Sequence, residues 1–216
     1  MGKLSLTICF SFFAHLLFCQ YGLGLRTGAY VSRFQFSDPL TELGVQYRTS
    51  VQFGIPLQIQ LNSRLYLQFE AQYLQKGVRL FFRDQTDFYD YTINTQVLEF
   101  PLLLKMNFSS WESKLFFYGG PGIAYYMAGK DREYYSRMDS IIDLRNKVDY
   151  QGVNRWDIVI QLGGEFAWEI VPNWELFLDA RYHFGFLNFD YLAQGPFDVI
   201  KSRGISLSAG VKKLWN

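Results

Sequence analysis

The chain reads as all-β, with eight antiparallel strands closing into an up-and-down barrel. Three observations predict this. Hydrophobic residues recur with period two in eight segments, and no segment holds a helical period. The connections between segments alternate between short and long. The polar face of the alternation includes many Gly and Ser, which suit a crowded interior better than a solvated surface.

Residues 23–36 set Leu23, Leu25, Thr27, Ala29 and Val31 against Arg26, Gly28, Tyr30 and Ser32. Residues 45–61 give the longest pattern. Val45, Tyr47, Thr49, Val51, Phe53, Ile55, Leu57, Ile59 and Leu61 share one face, and four Gln and Arg48 lie on the other. Residues 64–82 oppose Leu65, Leu67, Phe69, Ala71 and Tyr73 to Gln68, Glu70, Gln72 and Lys76. Residues 93–108 oppose Leu98, Phe100, Leu102, Leu104, Met106 and Phe108 to Glu99, Pro101, Lys105 and Asn107. Residues 114–128 are Gly-rich and aromatic. Residues 155–171, 174–187 and 204–215 repeat the alternation, with Asp157, Glu165, Asp179, Arg181, His183 and Lys212 on the polar face.

The connections near 62–63, 109–113 and 172–173 are short, whereas those near 37–44, 83–92, 129–154 and 188–203 are long. Four long extracellular loops, short periplasmic turns and both termini in the periplasm are the expectation for a transmembrane barrel with an even strand count. Trp111, Trp168, Trp174 and Trp215 fall toward the short turns and Trp156 toward the long loops, where interfacial aromatics belong. No apolar run reaches the roughly 20 residues of a spanning helix. A soluble ligand-binding barrel, with the apolar face inward, is the alternative on pattern alone.

The first 19 residues have the form of a secretory leader. Lys3 supplies the positive end, Leu4–Phe18 the apolar stretch, and cleavage after Cys19 leaves Gln20 first. The expected organisation is a leader over 1–19 and one barrel domain over 20–216. Phe18 before Cys19 speaks against lipidation, which wants a small residue there. Both cysteines, Cys9 and Cys19, lie in the leader, so the mature chain has no disulfide, thiol chemistry or Cys metal site. The formal charge of +1 becomes 0 once Lys3 is removed, which excludes a nucleic-acid partner recognised by bulk charge.

LEFPLLLK (98–105), FYGGPGIAYYMAG (117–129), RWDIVIQLGGEF (155–166), ARYHFGFLNF (180–189) and GISLSAGVKKLW (204–215) follow in order across the mature chain. In them the chain resembles the PorT-like outer-membrane β-barrel family of Gram-negative bacteria. The resemblance implies an integral protein of the cell outer membrane, surrounded by its lipids. The last strand is similar to the terminal signal read by the barrel insertion machinery, although Asn216 follows the closing aromatic Trp215. The family's founding member serves a protein secretion system, but the resemblance implies no single activity.

Candidate chemistry is sparse. Arg26, Arg48, Glu70, Lys76, Glu99, Lys105, Asp157, Glu165, Asp179, Arg181, His183 and Lys212 are expected in the lumen. Eight strands leave an interior filled by side chains, so these charges are expected to pair as a plug. His183, the only mature histidine, shares a face with Asp179 and lies near Ser206 and Ser208 on the closing strand. That constellation keeps a lipid-modifying enzyme open as an alternative, and the charged lumen keeps a small-solute, porin-like channel open. One His without Cys makes no metal site, and GGPG (119–122) lies in a strand rather than in a phosphate-binding loop. No catalytic, cofactor-binding or metal residue is assigned. Residues 129–154 carry five basic and five acidic residues, three tyrosines, and an apolar patch of Ile141, Ile142 and Leu144. They are the candidate docking surface for a protein partner. The expectation is a non-enzymatic structural or accessory component of the outer membrane, linked to secretion or surface contacts through its loops.

Overall fold

A computed structural model describes residues 20–36, 44–83, 87–109, 113–137, 140–147, 154–186 and 200–215. Its strands are β1 (Tyr21–Phe36), β2 (Gly44–Gln46), β3 (Arg48–Gln60), β4 (Leu65–Arg83), β5 (Asp87–Asn107), β6 (Lys114–Arg137), β7 (Ser140–Lys147), β8 (Trp156–Val171), β9 (Trp174–Gly185) and β10 (Ile200–Trp215). The described residues contain no helix. The expected leader over 1–19, Trp111, and the connection over 37–43 lie outside the described residues.

β2 and β3 form one stave broken at Tyr47, and β7 folds back on β6. The remaining strands run in antiparallel neighbours from β1 through β3, β4, β5, β6, β8 and β9 to β10. β10 then pairs with β1 from Tyr21↔Trp215 to Phe36↔Ile200, closing an eight-stave ring. Closure leaves the ring without an edge stave, so that backbone groups can pair inside the wall, as lipid demands.

The two faces separate as the period-two pattern predicts. On β3, Val51 and Phe53 are each 53% exposed on the outer wall, while Gln52 is 0% exposed in the lumen. The residues facing out form an apolar band that includes Leu25, Ile55, Phe69, Leu104, Phe117, Ile158, Leu178 and Leu207. An apolar-in barrel is thereby excluded.

The short-turn rim carries the start of β1 and the end of β10, paired as Tyr21↔Trp215. Asn62 Oδ1 accepts from the Arg64 and Leu65 N–H groups at 2.9 and 2.8 Å, fixing the β3–β4 turn. Asn173 adopts a left-handed φ of 68° between β8 and β9, a conformation Asn tolerates better than most residues.

The other rim departs from expectation. The segments 83–92 and 129–154 are expected as loops, yet β4 and β5 stay paired up to Arg83↔Phe88, and β6 runs to Arg137, pairing with β7 from Lys130 onward. Above the apolar band nothing needs to be oily on the outer face, so the alternation fades while backbone pairing continues. An extra residue in β6, opposite the Gln96–Val97 step of β5, starts this extension. Of the connection expected at 188–203, residues 188–199 lie outside the described residues and 200–203 belong to β10.

A second irregularity lies beside β3. Its pairing with β4 ends at Gln52↔Leu74. Beyond that point the Ser50 hydroxyl donates to the Gln75 carbonyl at 2.7 Å. The Ser32 hydroxyl donates to the Gly77 carbonyl at 3.0 Å and accepts the Gly77 N–H at 2.9 Å. Hydroxyls of Ser50 on β3 and Ser32 on β1 thus partner the β4 backbone where the β3 backbone no longer does.

Candidate functional site

The lumen is the first place to look for chemistry. Five cations, Arg26, Lys76, Lys105, Arg181 and Lys212, and six acids, Glu70, Glu99, Asp157, Glu165, Glu175 and Asp179, are buried there. Their near balance lets each cation find an opposite charge, as buried charges require.

Three linked groups result. Arg26 pairs with Glu70 and, at 2.8 Å, with Asp179. Arg181 bridges the same two acids, each at 2.8 Å, and its Nε also donates to the Tyr118 hydroxyl. Gly54 leaves the space this cluster needs, because a Cβ there would fall 2.3 Å from Glu70 Oε1. Lower in the barrel, Glu165 holds Lys105 at 2.8 Å and Lys212 at 2.6 Å. Gln58 Oε1 accepts from both ammonium groups. In the third group Lys76 lies 2.7 Å from Glu99.

That third group contains the histidine. His183 Nδ1 lies 3.2 Å from Glu99 Oε2, and Nε2 lies 3.1 Å from Ser206 Oγ. The sequence pointed to Asp179 as the carboxylate partner. Asp179 instead serves the two arginines, and Glu99 reaches His183 across the barrel from β5. Ser208, the other serine considered, bonds to Arg26 and Asp179. The Ser206–His183–Glu99 order is that of a nucleophile, base and orienting acid. Its surroundings differ from a reactive site: Ser206, His183 and Glu99 are 0%, 1% and 0% exposed, and Tyr30 lies edge-on to the imidazole at 5.0 Å. The Ser206 hydroxyl is thus buried beneath side chains of the described residues.

Apolar side chains close the lumen at both ends. Toward the long-connection rim, Tyr30, Phe34, Leu74, Val78, Leu80, Ile93, Val97, Ala124, Tyr126 and Val159 pack together. Toward the short-turn rim, Tyr66, Phe116, Ala167 and Phe177 do the same, with the Lys105 and Lys212 ammonium groups 4.6 and 4.9 Å from the Phe116 and Phe177 ring centres. Sequence reasoning missed the upper cluster. Leu74, Val78, Ile93 and Val97 face inward opposite other non-polar or mixed positions, so alternation gives no sign of them.

Arg48 corrects the expected lumen set. Where β3 peels away from β4, its side chain crosses to the outer wall, and a Cβ on Gly77 would meet it at 2.7 Å. There it lines an open groove with Arg79, Thr92, Asn94, Lys130, Arg132, Arg145 and Lys147. Register explains this company: Arg79↔Thr92, Thr92↔Arg132 and Arg132↔Arg145 lie on one face of β4–β7, as do Asn94↔Lys130↔Lys147. That face continues the outer wall. The hydrogen bonds of Arg132, at 2.9 and 3.0 Å, hold the Asp143 carboxyl below its usual range.

The apolar patch expected at 141–144 is split by the strand. Ile142 and Leu144 pair with Tyr135 and Glu133 on one face of β7, and Ile141 lies on the other. All three are exposed, Ile141 at 71%. Among the described residues, β7 pairs only with β6, so its second edge is open. No group of three metal-ligating side chains occurs among the described residues.

An apolar outer wall, a sealed polar interior and a closed ring describe a protein that crosses a membrane with strands. The chain is similar to Ail, the attachment invasion locus protein of Yersinia pestis, at 13% identity over 88% of this chain and 97% of that one, with a TM-score of 0.40. It is similar to OprG of Pseudomonas aeruginosa at 10% identity over 90% and 96%, with a TM-score of 0.44. It is also similar to a major outer membrane protein of Thermus thermophilus at 11% identity over 90% and 99%, with a TM-score of 0.48. No curated protein matches. The family model described as the outer membrane protein beta-barrel domain matches residues 20–191, and the chain therefore belongs to that family of outer-membrane barrels.

Proposed function

We propose that the protein is a non-enzymatic structural or accessory component of the outer membrane that works through its long-connection rim. The observation that carries this reading is the β6–β7 hairpin, which rises beyond the barrel with an open edge and exposed Ile141, Ile142 and Leu144. An open edge lets a partner add a strand, with side-chain pockets giving selectivity. The sealed lumen supports this choice over a channel, and the buried Ser206 supports it over a lipid-modifying enzyme. Both termini and the short turns lie in the periplasm in this reading, and the hairpin lies outside the cell. The mature chain begins at Gln20. The PorT-like resemblance favours a role beside secretion machinery.

A photo-cross-linking residue at Ile142 tests the reading in cells. A discrete adduct that disappears on Leu144→Pro, in a barrel that still inserts, supports it. Step conductance in planar bilayers, or altered lipid A in overexpressing cells, contradicts it in favour of the channel or the enzyme.

A further inference from the structure

The groove outside β4–β7 holds six cations, Arg48, Arg79, Lys130, Arg132, Arg145 and Lys147, around a volume of about 810 Å³. Arg79 pairs with Asp90, and Arg132 and Arg145 share Asp143. Asp131 also lines the groove. Among the described residues Arg48, Lys130 and Lys147 have no ion pair. The groove therefore keeps an excess of positive charge on a concave wall.

Its height is informative. On β5 the outward series runs Leu98, Gln96, Asn94, Thr92, and the groove begins at Asn94. Asn94 is four residues from Leu98, about 13 Å along the strand and less along the membrane normal given the tilt of barrel strands. Just below the groove, Tyr125 and Trp156 pack with ring centres 4.8 Å apart and planes tilted by 50°, marking the edge of the apolar band. Headgroups lie immediately beyond such a belt.

A separate part of the wall repeats the sign. Arg33 and Arg203 are direct cross-strand partners one step above the outward pair Val31↔Ile205. Like charges opposite one another are unfavourable unless an anion lies between or near them. Among the described residues they contact Tyr47, Phe184 and backbone carbonyls, and no carboxylate.

From this arrangement we propose that the groove binds the phosphate groups of a phosphorylated glycolipid in the outer leaflet, gripping the headgroup from the side of the barrel while the acyl chains lie along the apolar wall below. The inference rests on the orientation proposed above. Phosphate suits the site because its oxygens accept from several guanidinium and ammonium donors at once.

The test uses the full mature protein in detergent, titrated with diphosphorylated lipid A or with the same lipid after dephosphorylation, bound lipid being counted by native mass spectrometry. The wild type binds the phosphorylated lipid, more weakly as salt rises, and discriminates against the dephosphorylated form. Lys130→Gln combined with Lys147→Gln weakens binding about tenfold or more, whereas Arg64→Gln with Lys213→Gln at the opposite rim changes it less than about twofold. The double Arg variant, Lys130→Arg with Lys147→Arg, retains binding, which separates loss of charge from loss of fold. Equal affinity for the dephosphorylated lipid, or an unaffected Gln variant, overturns the inference. So does full displacement by inorganic phosphate, which would make the groove a simple anion site. Orientation is checked independently by Asn146→Cys: labelling by an impermeant maleimide on intact cells supports it, and protection overturns the orientation whatever the lipid result.

Discussion

Lys212, on the strand that closes the barrel, sets its ammonium 2.6 Å from Glu165 of β8, and Lys105 of β5 approaches the same carboxylate at 2.8 Å. One buried acid thus ties together three staves that lie far apart in sequence. Glu165→Gln leaves two ammonium groups in a sealed interior with one charge partner removed. It is expected to lower unfolding stability by about 3–5 kcal/mol, measured by urea titration of the refolded barrel. Adding Lys105→Met and Lys212→Met to a Glu165→Leu background should recover part of that loss, since an apolar core has no charge to strand. A single Glu165→Gln cost below about 1 kcal/mol contradicts this account of the lumen.

The Ser206–His183–Glu99 series is expected to be structural. Ser206→Ala should cost about 1 kcal/mol of stability or less, and His183→Ala somewhat more, because Glu99 retains Lys76 and Gln161. Neither should remove the protein's cellular phenotype. A Ser206→Ala barrel that folds and inserts normally yet loses the phenotype would falsify the structural assignment and bring the lipid-modifying enzyme forward.

Much of the wall was legible in the sequence. The face of Val51, Phe53, Ile55 and Leu57 must avoid water, and period two then fixes where Gln52 and Gln58 point. What the sequence hid is informative. The carboxylate for His183 comes from β5 rather than from β9 itself, and only barrel closure brings Glu99 there. Arg48 reads as another lumen cation until β3 is seen to leave β4. The β6–β7 hairpin lacks a lipid-facing stripe because it stands above the lipid, so the signal that reveals every other stave is absent where β7 lies.

Substitutions on β3 should separate the two faces. Phe53→Arg puts a cation into hydrocarbon at a cost of about 2–4 kcal/mol and is expected to impair assembly, seen as loss of the heat-modifiable folded band. Gln52→Arg should be milder. The Gln52 amide has no hydrogen-bond partner among the described residues, so its replacement breaks no existing bond, and the new guanidinium faces a lumen that holds carboxylates. Equal defects in the two variants contradict the assigned faces.

The central claim is that the apolar face of each stave meets lipid while the polar face closes on a filled lumen. Spin labels placed singly along residues 51–60 in the reconstituted barrel test it most directly, through their accessibility to oxygen dissolved in lipid and to a polar relaxation agent in water. The account predicts a period-two alternation, with high oxygen access at 51, 53, 55, 57 and 59 and low access to both agents at 52, 54, 56 and 58. If the odd positions are shielded from oxygen while the even ones are open to the water-soluble agent, the barrel is inside out relative to this description, and the protein is a soluble one with an apolar core.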